Sequence, residues 1–148
     1  MGKAKRIGVL IAEDEPSVRA ALAALIEAEP GLALLGAVGD ADAAIASATA
    51  LRPDVAIVDV GMPGGGGAHA AREIRRCSPT TKVLALSASD DRATVLEMLQ
   101  AGVVGYLVKG GSVGSILASI EQAADGHSSL SVEVTGDVIE ELVEQLSR

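Results

Sequence analysis

The sequence predicts an α/β fold: a doubly wound five-stranded parallel sheet with helices on both faces, plus an extra C-terminal helix. Two observations predict this class. Short apolar runs alternate five times with helical patterns, and such pairs in series imply right-handed crossovers. The runs are also continuously apolar, which is typical of strands buried on both faces of a parallel sheet.

The composition predicts which residue types form the core, and the apolar runs predict the strands. The chain has one Tyr, no Phe and no Trp, so Ala, Val, Leu and Ile must build the core. Met62 and Met98 are expected to pack inside it. The predicted strands are Ile7–Ala12, Leu32–Val38, Val55–Val58, Val83–Leu86 and Gly105–Val108.

Five helices are expected to alternate with these strands, and the glycine tetrad Gly64–Gly67 is expected to be a loop. Proline, capping residues and glycine mark the helix ends. The expected helices run from Pro16 to before Pro30-Gly31, from Asp40 to Leu51, from Ala68 to Arg76, from a cap at Asp90 to Gly102, and from a cap at Ser112 to Gly126. The expected inward stripes are Val18, Leu22, Leu25 and Ile26 in the first helix, Val95, Leu96 and Leu99 in the fourth, and Ile116, Leu117 and Ile120 in the fifth.

Charge and composition exclude several classes of function. The net charge is −8, and the only basic cluster is Arg72, Arg75 and Arg76, so direct nucleic-acid binding by these residues is not expected. The apolar run after the basic start, Ile7–Ala12, is too short for a signal peptide, and no stretch is long enough to span a membrane. The single cysteine, Cys77, suits a reducing compartment. We expect a cytoplasmic protein with no membrane partner.

Polar residues follow four of the predicted strands, at the point where each strand ends. They are Glu13-Asp14, Asp59, Ser87 and Lys109. Ligands of open α/β sheets bind outside the carboxyl ends of the strands, where strand order reverses. With the flavodoxin-like order 2-1-3-4-5, the three acids would lie side by side, and Ser87 and Lys109 would line the rim of the same pocket.

Three carboxylates in one pocket repel each other unless a cation lies between them. Mg²⁺ is the natural candidate, since it prefers oxygen ligands and also binds phosphate oxygens. A carboxylate such as Asp59 can act as a nucleophile and form an aspartyl phosphate. Mg²⁺, Lys109 and Ser87 would then cover the charged oxygens of the transferred phosphoryl group.

Four motifs in order give the chain a family resemblance over roughly residues 6–126. They are Ile11–Pro16, Pro53–Gly64, Lys82–Ala88 and Gly105–Lys109. Together they resemble the response-regulator receiver domain of two-component signalling, most closely the NarL/LuxR type. The resemblance implies a phosphoprotein that takes a phosphoryl group from a histidine kinase or phosphotransfer protein and relays it by conformational change. It also implies a homodimer on phosphorylation and no turnover enzyme, although the domain promotes its own phosphorylation and dephosphorylation.

The resemblance assigns a role to each site residue. Asp59 is the phosphoacceptor, Lys109 contacts the phosphate, Ser87 is the switch hydroxyl and Tyr106 the switch aromatic. The implied Mg²⁺ ligands are Glu13, Asp14, Asp59 and the backbone carbonyl of Gly61. The sequence departs from the family at Gly65 and Gly66, where bulkier residues and an Asp are usual, and each extra glycine costs order near a helix start.

Other interpretations remain open from the residues alone. A pseudo-receiver would use the same fold as a phosphate-independent interaction module. A small phosphatase with an aspartate nucleophile would place a second Asp two residues later, where this chain has Gly61. Glu13-Asp14-Glu15 could merely favour a helix N-terminus, and Tyr106 could be a packing residue. His69 and His127 are not expected to bind metal.

The receiver domain is expected to span residues 1–128, and residues 129–148 are expected to form a connector and dimerisation helix. An amphipathic pattern runs from Thr135 to Leu146, with one apolar stripe and an acidic face. An isolated helix this short is marginal in water, so the stripe must be covered. We expect a partner chain to cover it, and the competing interpretation is that it folds back on its own receiver. The stripe consists of Ile139, Leu142, Val143 and Leu146.

Overall fold

The computed structural model describes residues 5–88, 91–126 and 144. They form one sheet of five parallel strands in the order β2-β1-β3-β4-β5. The predicted doubly wound fold and its strand order are therefore confirmed. Two strands extend slightly beyond their apolar runs and include the polar residues Asp59 and Ser87. The strands are β1 Ile7–Ala12, β2 Leu32–Val38, β3 Val55–Asp59, β4 Lys82–Ser87 and β5 Gly105–Val108.

Five helices alternate with the strands, as predicted. Asp40 and Ser112 cap their helices through side-chain oxygens that accept from Ala43 N at 2.8 Å and Ser115 N at 3.1 Å. No helix within the described ranges is long and apolar enough to span a membrane. The helices are α1 Pro16–Glu27, α2 Ala41–Leu51, α3 Gly66–Cys77, α4 Arg92–Gln100 and α5 Val113–Ala124.

Two predicted helix starts were wrong by one or two residues. Helix α4 is capped by Asp91, whose carboxylate accepts from Thr94 N at 3.0 Å, and not by Asp90. With two adjacent aspartates, only the backbone geometry decides which carboxylate reaches the free N–H group. Helix α3 begins at Gly66, inside the tetrad predicted as a loop. An added Cβ at Gly67 would lie 2.5 Å from the Asp59 carbonyl oxygen, so this close approach of helix and strand requires glycine.

The sheet separates two cores, one on each face. Alternate residues of β1 enter different cores, since successive side chains of a strand point to opposite faces. One core packs against α2, α3 and α4, and it buries Met62 and Met98 as predicted. The other packs against α1 and α5 around Ile26, Ile57 and Ile120.

Some burial expectations were wrong at the margins of the sheet. Strand β2 is an edge strand, and only Leu32 in it is fully buried. The other edge strand, β5, is buried except at Val108, so the edge position alone does not account for the exposure of β2. In α4 the buried residues are Val95 and Met98, while Leu96 and Leu99 are only partly buried.

The inward stripes of α1 and α5 are confirmed in their centres. Leu22 and Ile26 are buried in α1, and Ile120 is buried in α5, while the remaining predicted members are partly buried. The predicted segment 129–148 lies outside the described residues except for Glu144, which is helical and exposed.

Candidate functional site

Strand register brings the predicted polar residues to one edge of the sheet. Ala12 pairs with Val58, so Glu13 and Asp59 follow from neighbouring positions of β1 and β3. Asp59 in turn pairs with Leu86 of β4. This edge is formed by the carboxyl ends of the strands, where open α/β sheets bind their ligands.

Three carboxylates form a cluster at this edge. One oxygen from each of Glu13, Asp14 and Asp59 lies within 4.8 Å of the others, and this is the one such acidic or metal-ligating group in the described part of the chain. The Glu13 side chain is fully buried and Asp59 is 5% exposed, whereas Asp14 is exposed to solvent. The cluster therefore has two buried members and one that opens to solvent.

Lys109 connects two of these acids. Its Nζ lies 2.7 Å from Glu13 Oε1 and 3.1 Å from Asp59 Oδ1. Its backbone N–H donates to the Ser87 carbonyl at 2.7 Å, which fixes the end of β5 against the end of β4. The ammonium supplies one positive charge to a cluster that can carry three negative charges.

The two oxygens of Glu13 have unequal surroundings. Oε2 accepts a hydrogen bond from Glu15 N at 3.1 Å. Oε1 is buried, and it contacts the Lys109 ammonium at 2.7 Å. One ammonium faces three clustered carboxylates, so the arrangement suits an additional cation.

The cluster shifts the pKa values of its members in opposite directions. Burial raises the pKa of Asp59, with the nearby Glu13 charge adding to the effect and Lys109 opposing it. Hydrogen bonding with Glu13 lowers the pKa of Asp14, and desolvation opposes this effect without reversing it. Burial acts to lower the pKa of Lys109, but contacts with Glu13 and Asp59 outweigh it, and the net direction is upward. Of the three acids, Asp59 is thus the one whose protonated form the surroundings favour.

One member of the acidic triplet Glu13-Asp14-Glu15 stabilises a helix N-terminus, which was the alternative role for all three residues. Glu15 is the N-cap of α1, and its carboxylate accepts from Ser17 N at 3.3 Å and from Val18 N at 3.2 Å. These hydrogen bonds, together with one from the Ser17 hydroxyl, lower the pKa of Glu15. The acidic triplet therefore divides: Glu15 caps the helix, and Glu13 and Asp14 belong to the cluster.

The remaining predicted site residues lie at different depths. Ser87 ends β4 and is 7% exposed. Tyr106 is 3% exposed and belongs to the core that contains Val95 and Met98 of α4. Gly61 is exposed, and an added Cβ there would have Asp59 Oδ2 as its neighbour, at 3.8 Å. Their roles as switch residues and as a backbone ligand remain predictions.

His69 and Cys77 are not members of the acidic cluster. The His69 ring packs on the tetrad, where a Cβ at Gly65 would meet its Cδ2 at 2.9 Å. Cys77 is a free, half-buried cysteine at the end of α3. His127 lies outside the described residues.

An apolar groove borders the acidic cluster, between the N-terminal halves of α1 and α5. It encloses about 350 Å³, and Lys109 belongs to both the groove and the cluster. Val108 and Val113 are 39% and 56% exposed there, which is high for large apolar side chains. The α1 side is formed by Ser17, Val18, Ala21, Leu22 and Leu25, and the opposite side by Leu86, Val108, Lys109, Gly110, Val113 and Ile116.

Sequence analysis missed two residues that support the cluster. Arg19 in α1 donates from Nη1 to the Glu13 carbonyl at 2.8 Å, and its guanidinium lies against Gly39. Arg19 lies within a helix, and Gly39 follows β2 but carries no polar side chain, so neither residue belongs to a recognised motif. The sequence carries no signal that an arginine within a helix turns back to the preceding loop.

Comparison with known proteins identifies the family. Residues 9–121 match the response regulator receiver domain. The chain belongs to this family. It is 34% identical over 136 residues to the uncharacterized transcriptional regulatory protein YxjL of Bacillus subtilis (strain 168), covering 92% of this chain and 62% of YxjL. Because the chain spans less than two thirds of the curated relatives it matches, its similarity to them concerns the receiver part.

Solved structures agree with this family. A two-component response regulator of the LuxR family from Aurantimonas sp. SI85-9A1 superposes with a TM-score of 0.85 at 28% identity, covering 94% of this chain and 99% of that one. The receiver domain of the response regulator NarL from Mycobacterium tuberculosis superposes with a TM-score of 0.80 at 31% identity, covering 83% and 99% of the two chains. The NarL/LuxR-type resemblance of the sequence is therefore confirmed.

Proposed function

We propose that this receiver accepts a phosphoryl group on Asp59 from a histidine kinase or phosphotransfer protein, in a reaction that needs Mg²⁺. The observation that carries the proposal is the cluster of Glu13, Asp14 and Asp59, which Lys109 joins from one side. A receiver with this cluster has both a nucleophile and the charges that a phosphoryl group requires.

The proposed transfer uses one oxygen of Asp59. That oxygen attacks the phosphorus atom, a new O–P bond forms, and the bond from phosphorus to the donor nitrogen breaks, so the donor histidine leaves with the electron pair. Lys109 Nζ lies 3.1 Å from Asp59 Oδ1, and it is well placed to contact an oxygen of the transferred group. The Ser87 hydroxyl, at the end of the neighbouring strand, is proposed to contact another.

The residues at this edge fit a magnesium ion. Three carboxylates supply the hard oxygen ligands that Mg²⁺ prefers, and a single ammonium, that of Lys109, contacts two of them. We propose Glu13, Asp14, Asp59 and the Gly61 carbonyl as its ligands. When bound, Mg²⁺ would offset negative charge that gathers as phosphate approaches the acids.

The acyl phosphate makes the domain a switch and no turnover enzyme. Water can hydrolyse the new O–P bond and restore the Asp59 carboxylate, so each phosphorylation is one reversible signalling event. Asp59 is only 5% exposed, which limits the access of water to it. We propose that Ser87 and Tyr106 carry the change from the phosphoryl group to α4, as in switches where a local charge biases a two-state element.

The groove between α1 and α5 is the proposed docking surface for the donor protein. It is apolar, it borders Lys109, and it exposes Val108 and Val113. An amphipathic helix could bury an apolar face there and bring a phosphohistidine to the adjoining cluster. We further propose that the encounter occurs in the cytoplasm, in keeping with the single cysteine of the chain.

A phosphodonor experiment tests the proposed acceptor. Acetyl phosphate and Mg²⁺ should add one phosphoryl group to the wild-type chain, measured by intact mass, and Asp59→Asn should prevent it. Asp54→Asn is the matched control, because Asp54 immediately precedes the same strand and its carboxylate accepts from Gly8 N at 2.8 Å. If Asp59→Asn is modified as fully as the wild type, the assignment is wrong, and a wild type that accepts no phosphate would indicate a pseudo-receiver.

The proposed switch role of Ser87 has a separate test. Ser87→Ala should still accept phosphate but show smaller NMR shifts around Tyr106 and α4 than the wild type. Identical responses of the two proteins would remove the hydroxyl from the mechanism.

We also propose that residues 129–148 connect the receiver to a partner chain and promote dimerisation on phosphorylation. The support is the apolar stripe in the sequence from Ile139 to Leu146, which needs a cover. Sedimentation of the whole chain and of a version ending at Ser129, each with and without phosphodonor, should show dimers only for the whole phosphorylated chain. If both remain monomeric and truncation sharply lowers the melting temperature, the segment belongs to its own receiver.

A further inference from the structure

The loop that carries Glu13 and Asp14 is held at two backbone groups. Glu13 N donates to the Val38 carbonyl at 2.9 Å, continuing the ladder between β1 and β2. On its other side, the Glu13 carbonyl accepts a hydrogen bond from Arg19 Nη1 at 2.8 Å. Both peptide groups of Glu13 are thereby fixed, and the second bond comes from a side chain six residues along the chain.

Gly39 provides the space for this contact. A Cβ added at Gly39 would lie 2.8 Å from Arg19 Nη1, closer than real Cβ atoms approach other heavy atoms. The positive-φ glycines are other residues, so the backbone conformation at position 39 does not require glycine. The absence of a side chain is instead explained by the guanidinium that lies against this residue.

We infer that Arg19 is a positioning residue for the metal site, and that Gly39 is the space that lets it act. The inference rests on the proposed function of the acidic cluster. Arg19 fixes the peptide that joins Glu13 to Asp14, and this peptide sets the directions of both side chains. Three carboxylates within 4.8 Å repel each other, so a backbone that yields would let them separate and lose the arrangement that a cation needs.

The sign of the effect separates positioning from charge. Arg19 carries a positive charge beside an acidic cluster, and if it acted by charge alone, its removal would strengthen Mg²⁺ binding. If it acts through the Glu13 carbonyl, its removal weakens Mg²⁺ binding. The Gly39→Ala variant retains the charge and displaces only the guanidinium, so it isolates the second effect.

Four variants test the inference by calorimetric titration with Mg²⁺. Arg19→Met retains most of the stem without the donor, and Gly39→Ala adds one methyl group where Nη1 lies. Each should raise the dissociation constant about threefold to tenfold, the range expected for loss of one hydrogen bond. Arg19→Lys retains a donor and should stay closer to the wild type. Gly31→Ala is the matched control. Gly31 immediately precedes β2 as Gly39 immediately follows it, and an added Cβ at Gly31 meets nothing within 4 Å.

The double variant Arg19→Met with Gly39→Ala is the decisive comparison. If Gly39 matters only because Arg19 occupies the space, the added methyl group has no further effect once the guanidinium is absent. The double variant should therefore bind Mg²⁺ as Arg19→Met does. Two effects that multiply would show that the residues act separately and would overturn the inference.

Phosphorylation kinetics provide a second readout that mere loss of stability would not change. With acetyl phosphate in excess, Arg19→Met and Gly39→Ala should need more Mg²⁺ for half-maximal rate but reach the wild-type rate at saturating Mg²⁺. Variants that only melt earlier, or that bind Mg²⁺ as well as or better than the wild type, overturn the inference. If the wild type itself binds no Mg²⁺, the proposed function fails; if it binds and Arg19→Met is unaffected, only the positioning role fails.

Discussion

The two ends of strand β3 use the same side chain in opposite ways. Asp54 precedes the strand, and its Oδ2 accepts a hydrogen bond from Gly8 N at 2.8 Å, which ties β3 to β1. Asp59 ends the strand, and its Oδ1 contacts the Lys109 ammonium at 3.1 Å. The first carboxylate is used by the fold, whereas the second stands in a cluster of like charges.

The same contrast holds for the whole sheet, between the edge where the strands begin and the edge where they end. At the edge where the strands begin, Thr81 Oγ1 donates to the Pro53 carbonyl at 2.6 Å and lies 2.7 Å from Ser78 Oγ. Both hydroxyls are buried and have partners within the protein. At the opposite edge, the equally buried Glu13 carboxylate contacts the Lys109 ammonium at 2.7 Å and lies in a cluster with two other acids. The hydroxyls where the strands begin satisfy each other, whereas the carboxylates where the strands end outnumber the one ammonium that contacts them.

The largest expected effect breaks the ligand edge and leaves the fold intact. Asp14→Ala should weaken Mg²⁺ binding by about 10-fold to 100-fold, because it removes the solvent-facing carboxylate proposed as a ligand. Asp14 is exposed, so the free energy of unfolding of the metal-free protein should change by no more than about 0.5 kcal/mol. Calorimetric titration and urea unfolding measure the two quantities, and unchanged Mg²⁺ affinity would remove Asp14 from the site.

A smaller effect of opposite character is expected at the edge where the strands begin. Thr81→Val has nearly the same shape but leaves the buried Ser78 hydroxyl and Pro53 carbonyl without their partner. The free energy of unfolding should fall by about 1–3 kcal/mol, while Mg²⁺ affinity stays within about twofold of the wild type. Guanidinium unfolding with and without Mg²⁺ provides the measurement, and a variant that loses Mg²⁺ binding without losing stability would contradict the division between the edges.

The smallest expected effect is a gain in stability. Burial and the Glu13 charge raise the pKa of Asp59 above its ordinary value of 3.8, so the folded protein binds this proton more tightly than the unfolded chain does. The metal-free protein should therefore lose stability as pH rises from about 4 through the raised pKa. Hydrogen bonding lowers the pKa of Asp14, and that contribution lies below this window.

Asp59→Asn should remove this loss. Asn is neutral at every pH in the window, so the metal-free variant should melt above the wild type at pH 7, with a flatter dependence on pH. Thermal melts between pH 4 and 8 in a chelator measure the difference, and added Mg²⁺ should narrow it by stabilising only the wild type. A variant that melts lower than the wild type would mean that the negative charge of Asp59 does not destabilise the metal-free protein.

The strands were predictable because their signal is local. A continuous apolar run bounded by turn residues requires no knowledge of its neighbours, and β1, β2 and β5 have the predicted bounds. The polar residues at the strand ends were predictable for a related reason, since parallel strands bring their carboxyl ends to one edge. Once strand order is fixed, Glu13, Asp59 and Lys109 have few other places to lie.

The errors occurred where the outcome depended on a distant part of the chain. Helix α3 begins at Gly66, inside the predicted loop, and its next residue, Gly67, closely approaches the Asp59 carbonyl. This contact joins two elements that are separate in the sequence. The apolar run of β2 resembles those of the inner strands, and it does not reveal that the strand lies at the edge of the sheet and is only partly buried. The depth of Tyr106 likewise depends on the packing of α4.

By itself, the sequence determined the fold class, the strand order expected from its family, and which residue types meet at the carboxyl edge. Only the tertiary structure decided how those residues share their charges: that Lys109 contacts Glu13 and Asp59 together, and that Glu15 turns to cap α1. It also decided that Arg19 returns to the Glu13 carbonyl across the space left by Gly39. The physical reason is range. Apolar periodicity acts over a few neighbouring residues, whereas hydrogen bonds and ion pairs of a few ångströms exist only after the chain has brought distant atoms together.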